Sequence, residues 1–166
     1  MSAVLIAQNE EKTIVDALAS VAFCDEIVVV DSGSTDRTRE VATAAGARVI
    51  VNAPWPGFTA QRDFATRAAR HDWVLALDAD ERVGAPLREE VQALRAGGFA
   101  AAGYRIPRVA WYLGRWVRAT DWYPDWQVRL FDRTRGAWQG DLVHESFAVR
   151  GPVGRLRGDL EHHPYA

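Results

Sequence analysis

The chain has 166 residues, 48% of them apolar and 25% charged, and a net charge of −2. That length suits one domain with a real hydrophobic core, and the near-neutral charge argues against a phosphate-backbone partner, so no nucleic acid is expected. The single cysteine, Cys24, excludes an intrachain disulfide and reads as a small buried side chain. No apolar run nears the roughly 20 residues that span a bilayer, and no basic-then-apolar leader marks secretion, which predicts a cytoplasmic protein.

In chain order, Ala3 to Ala7 is a short apolar run, and Asn9 is placed to cap a helix beginning at Glu10. Ile14, Leu18 and Val21 give that helix its apolar stripe. Ile27 to Val30 is β-branched, the signature of a parallel strand buried on both faces. It stops at the turn Asp31-Ser32-Gly33-Ser34-Thr35-Asp36, whose Ser34 or Thr35 is expected to cap the next helix. That helix runs to about Ala45, with Gly46 as its stop. Arg48 to Val51 is a third strand, and Pro54-Trp55-Pro56-Gly57 is a loop. A helix over 59–70, a strand from Trp73 to Leu77 and a helix opened by Pro86 follow, with Leu87, Val91 and Leu94 as the last helix's buried stripe.

Alternating strands and helices predict an open, mostly parallel sheet flanked by helices, an α/β fold. Such sheets bind ligands at the carboxyl ends of their strands, where the acidic clusters at Asp31 and at Asp78 to Glu81 both fall. The chain beyond residue 100 reads as half-exposed strands around Tyr104 and Ile106 and around Trp126, Val128 and Leu130. Five of the seven tryptophans lie between Trp111 and Trp138, so residues 101–166 form an aromatic-rich portion of the same single domain.

Asp78-Ala79-Asp80 carries the sharpest chemistry. If the backbone stays extended past the strand, the two carboxylates point the same way and can share one cation. Oxygen ligands of this kind suit Mg2+ or Mn2+; the plainer alternative is two solvated carboxylates. Asp31 can accept hydrogen bonds from a uracil ring or ribose hydroxyl, or can serve its own turn. No Walker-type loop or dinucleotide glycine fingerprint occurs. One rival reading is a non-catalytic, Mg-dependent nucleotide-binding or signalling module, and another is an aspartate-nucleophile phosphatase.

The segments AVLIAQNEEKTI, IVVVDSGSTDRT, GFTAQRDFA, WVLALDADERV, YPDWQVRLF, LVHESF and VGRLRGDLEHHPY, in this order, resemble glycosyltransferase family 2. The later segments are most similar to its bacterial lipopolysaccharide-core beta-1,4-glucosyltransferase subgroup. The resemblance implies a GT-A fold, with residues 1–100 binding the nucleotide sugar, residues 101–166 facing the acceptor, and a family C-terminal extension lacking. It also implies an inverting, metal-dependent transfer of glucose from a UDP-sugar to a lipid-linked glycan, with peripheral association at the inner membrane.

Carried over position by position, the resemblance puts Asn9 and Glu10 near the base and Asp31 on the nucleoside. Asp80 becomes the direct metal ligand, with Asp78 beside ribose and metal and His162 as a further metal contact. Gln61 and Arg62 lie near the donor, Arg62 on its diphosphate; Asp63 stands where the family pattern has asparagine. Glu145 matches the base that removes the acceptor proton, although a strand-borne glutamate can equally be the ion-pair partner of a nearby arginine. Asp141 and Asp125 are the reserves. Trp122, Trp126 and Arg129 can frame the acceptor, since sugars stack on aromatic faces, although core packing explains any single tryptophan equally well.

Overall fold

The computed structural model describes residues 1–141 and 144–164. Its first half alternates as the sequence predicts: β1 (Ser2–Ala7), α1 (Ile14–Ser20), β2 (Glu26–Asp31), α2 (Thr38–Ala44), β3 (Arg48–Val51), α3 (Phe58–Ala68) and β4 (Trp73–Asp78). A short β5 (Glu81–Val83) leads to α4 (Ala85–Gly97). Then come β6 (Gly103–Tyr112), β7 (Arg115–Val117), β8 (Asp125–Asp132), β9 (Gly136–Gln139), β10 (Ser146–Val149), β11 (Val153–Arg155) and β12 (Leu160–His162).

The main sheet runs β3-β2-β1-β4-β8-β6-β12-β5, with β7 and β11 also paired to β6. β3, β2, β1 and β4 are mutually parallel. β8 joins β4 and β6 antiparallel, so direction reverses where the aromatic-rich half begins. β9 and β10 form a separate ribbon.

Side-chain alternation along the central strands divides the core into two layers. Leu5, Val29, Leu75 and Leu77 face α1 and α4, meeting Ile14, Leu18, Leu87 and Val91. Val4, Ile6, Val28, Val30, Val74 and Ala76 face α3 and the ribbon, meeting Ala65, Phe131, Trp138 and Phe147. Burying each such Val, Leu or Phe side chain contributes roughly 1.5–3 kcal/mol.

Two helix starts differ from expectation. α1 begins at Ile14, because Glu10 to Thr13 close a turn in which the backbone N–H groups of Thr13 and Ile14 both reach the Glu10 carbonyl. Neither Ser34 nor Thr35 caps α2; Asp36 accepts the Thr38 backbone N–H at 2.9 Å instead. Gly46 does stop α2, at a φ of 90° that disfavours a side chain. The return to β12 also needs glycine: a Cβ on Gly158 would lie 2.4 Å from the Leu87 backbone nitrogen.

Candidate active site

The parallel strands β1, β2 and β4 end together at Ala7, Asp31 and Asp78. A cavity of about 430 Å3 opens there, floored by Ala7, Ser32, Asp78 and Asp80 and edged by Glu10 and His162. The turn after β2 and the acidic turn after β4 thus meet on one cleft. Trp55 and Phe58 form its outer wall, edge to face with centroids 4.8 Å apart. That pair is not evident from the sequence, although the Pro-Trp-Pro-Gly loop follows β3 and so leaves the sheet at the same carboxyl end.

β12 lies antiparallel to β5, with His162 in register with Glu81, and this brings His162 Nε2 to 3.2 Å from Asp80 Oδ2. Residues 79 and 80 form a turn rather than extended chain, so the alternation expected across Asp78-Ala79-Asp80 does not hold. Asp78 turns instead to two guanidinium groups, Arg62 Nη2 at 2.6 Å and Arg129 Nη2 at 3.4 Å. Burial alone would raise its pKa, but Arg62 and Arg129 outweigh that and hold it well below the usual carboxylate range.

Among the described residues no group of three or more His, Cys, Asp or Glu side chains gathers as a metal cage. Asp80 with His162 does suit a cation completed by substrate, since Mg2+ commonly takes one or two carboxylates and fills its shell with phosphate and water oxygens. Asp78 stands outside that donor pair while its arginines hold it.

Arg62 was expected on the donor diphosphate but is only 4% exposed, and its Nε also donates to Glu145 Oε1 at 2.9 Å. Arg129, expected at the acceptor, is likewise buried, bridging Asp78 and Glu81 at 3.2–3.4 Å. Glu81, wholly buried, accepts the Asp78 backbone N–H at 2.9 Å and pairs with Arg108 at 3.2 Å, while Arg108 holds Asp125 at 2.7 Å. An alternating ladder, Glu145–Arg62–Asp78–Arg129–Glu81–Arg108–Asp125, therefore underlies the cleft. Buried charges persist only when paired in this way.

The remaining expected residues fall into two groups. Asp31 is fully buried and accepts the backbone N–H groups of Gly33 and Ser34 and the Ser34 hydroxyl, so its carboxylate braces its own turn. Gln61 is fully buried too, its amide clasping Ser32 Oγ at 3.0 Å and Asn52 Nδ2 at 2.6 Å. Asn9 is exposed, its side-chain oxygen accepting the Thr35 backbone N–H at 2.8 Å. Asp63 pairs along α3 with Arg67 at 2.5 Å. Asp31, Gln61 and Asn9 hold loops, Asp63 braces its own helix, and of the residues expected at the donor Glu10, Asp78, Asp80 and His162 line the cavity.

A second cavity of about 450 Å3 is lined by Trp122, Trp126, Asp121, Asp125 and Arg108 and is bounded, like the first, by His162. Asp141 belongs to a third cavity, beyond Trp55 and Phe58, beside Trp138.

A family model described as Glycosyl transferase family 2 matches residues 2–158. The chain belongs to glycosyl transferase family 2. It is similar to lipopolysaccharide core biosynthesis glycosyltransferase LpsC of Rhizobium meliloti (strain 1021), at 33% identity over 168 residues, covering 98% of this chain and 62% of LpsC. Among solved structures, S. aureus TarS 1-349 in complex with UDP-GlcNAc superposes with a TM-score of 0.57 at 25% identity, covering 70% of this family 2 chain and 36% of that one. Glucosyl-3-phosphoglycerate synthase from Mycobacterium tuberculosis, in complex with Mn2+, UDP and glucosyl-3-phosphoglycerate, gives 0.51 at 30% identity, over 68% and 44% of the two chains. The fold of this family 2 chain is GT-A, the α/β fold with a curled, mostly parallel sheet. The chain spans 62% of the length of LpsC. No described helix is long and apolar enough to cross a membrane.

Proposed function

We propose that this chain transfers a sugar, glucose in the first instance, from a UDP-sugar to a hydroxyl of a lipopolysaccharide-core or other lipid-linked glycan, inverting the anomeric carbon in one displacement. The observation that carries the reading is the position of His162, beside Asp80 in one cavity and on the rim of the tryptophan-walled cavity next to it. Two substrates seated in these cavities meet at their common edge. The names of the family and of its nucleotide-bound relatives support the donor class.

The first cavity takes the nucleotide, with Glu10 and Ser32 at the base and ribose. Asp80 and His162 would hold Mg2+ or Mn2+, which when bound neutralises charge on the departing diphosphate. The second cavity takes the acceptor, with Trp122 and Trp126 stacking on its ring. Glu145, ion-paired through Oε1 to Arg62 and outside the lining of these two cavities, would accept the acceptor hydroxyl proton as that oxygen attacks. Residues 1–100 serve the donor and residues 101–166 the acceptor, His162 being the exception that reaches back to the donor side. The setting is the cytoplasm.

Incubation with UDP-glucose and a truncated lipopolysaccharide core, read by UDP release and by NMR of the new linkage, tests the proposal. Acceptor-dependent UDP release with an inverted linkage is expected. A retained configuration would remove the single displacement, and nucleotide binding without any transfer would favour the non-catalytic module.

A further inference from the structure

The hairpin joining β6 to β7 breaks two rules at its tip. Leu113 is 82% exposed, and its φ of 48° is a left-handed value that asparagine, aspartate or glycine would adopt with less strain. An apolar side chain is therefore held in water, in a backbone state that opposes it, and such double departures point to function. The stretch Trp111-Tyr112-Leu113-Gly114-Arg115-Trp116-Val117-Arg118 holds no acid and two arginines, Arg115, which is exposed, and Arg118, which pairs with Asp159 at 2.6 Å. Trp111 and Trp116 pair across the hairpin with centroids 5.0 Å apart, which stiffens it. Tyr112 packs against Trp122, 5.7 Å between centroids, and Trp122 lines the second cavity while remaining 53% exposed.

We infer that this hairpin is an interfacial anchor, which inserts Leu113 among the acyl chains of a bilayer bearing anionic headgroups. Aromatic rings around an apolar tip, with arginine beside them, match the chemistry of the headgroup boundary. Continuity through Trp122 would then place the mouth of the second cavity at the lipid surface. The inference deepens the proposed function, resting on it for the lipid-linked acceptor, but membrane binding itself needs neither donor nor acceptor.

Co-sedimentation with phosphatidylethanolamine vesicles containing phosphatidylglycerol, against pure phosphatidylcholine vesicles, tests it. The wild-type chain is expected to bind the anionic vesicles preferentially and to release in high salt. Leu113→Asn, which suits the turn better, should weaken binding about tenfold through lost apolar burial, and Arg115→Gln about fivefold. Unchanged thermal stability, or a gain, in Leu113→Asn would separate loss of binding from loss of fold. No binding of the wild-type chain at low salt would overturn the inference, as would undiminished binding when Leu113→Asn and Arg115→Gln are combined. A dimer abolished by Leu113→Asn, without vesicle binding, would assign the tip to a second copy of the chain and also overturn it. Transfer to a soluble acceptor without vesicle binding would sink this inference alone; vesicle binding without any transfer would sink the proposed function alone.

Discussion

Arg62 reaches Asp78 with one nitrogen at 2.6 Å and Glu145 with another at 2.9 Å, joining two acids 67 positions apart in sequence. Asp78 lines the donor cavity and Arg62 is buried behind it, so the guanidinium sets where both carboxylates stand. Arg62→Ala strips Glu145 of its guanidinium partner and leaves Asp78 with Arg129 alone, in a poorly hydrated place. A loss of about 3–5 kcal/mol in urea unfolding is expected. Arg62→Lys keeps the charge but not the fork, so it should recover only part of that loss.

Acid should weaken the fold through the same group. The folded pKa of Asp78 is lowered from the ordinary carboxylate value, because Arg62 and Arg129 outweigh the effect of burial. A depressed carboxylate stabilises the fold above its unfolded pKa of about 3.9, and that contribution fades as pH falls toward the folded value. Melting temperatures measured between about pH 5 and pH 2 should therefore fall less steeply in Asp78→Asn than in the wild-type chain, and parallel curves would contradict this.

Cys24, expected to be buried, is half-buried against the edge of the core and offers a check on it. Burial pushes its thiol up to about 12, so little thiolate exists near neutral pH. A thiol-disulfide reagent at pH 8 should label the native chain far more slowly than the chain in denaturant. Equal rates would mean that the region around Phe23 and Arg95 opens readily.

The acceptor-proton role gives a prediction on rate rather than affinity. In Glu145→Gln the affinity for the donor should persist while kcat falls by about 100-fold or more, the usual range for loss of a general base. If turnover is unchanged, Asp125, which lines the tryptophan-walled cavity, becomes the group to test.

The parallel half of the fold could be read from sequence because short-range rules govern it. The β-branched run at Ile27 to Val30 and the glycine stop at Gly46 need no distant partner, and the helix stripe of Leu87 and Val91 needs only its period. The acidic turn was legible in place but not in detail. Whether Asp78 points with Asp80 depends on guanidinium groups supplied 16 positions earlier and 51 positions later. Arg129 shows the same limit: beside a tryptophan-rich run it reads as an acceptor contact, yet Glu81 and Asp78 draw it into the interior. No local pattern reports pairing of that kind.

On the proposed function, the cleft between the turn after β2 and the turn after β4 holds a nucleotide diphosphate together with a cation at Asp80 and His162. Calorimetric titration of UDP into the wild-type chain, with Mn2+ and then with EDTA, tests it most directly, with Asp80→Ala and His162→Ala as controls. Tight binding that requires Mn2+ is expected, with apparent affinity about 10–100-fold weaker in each variant. Metal-independent binding of UDP, equal in the wild-type chain and both variants, would contradict it.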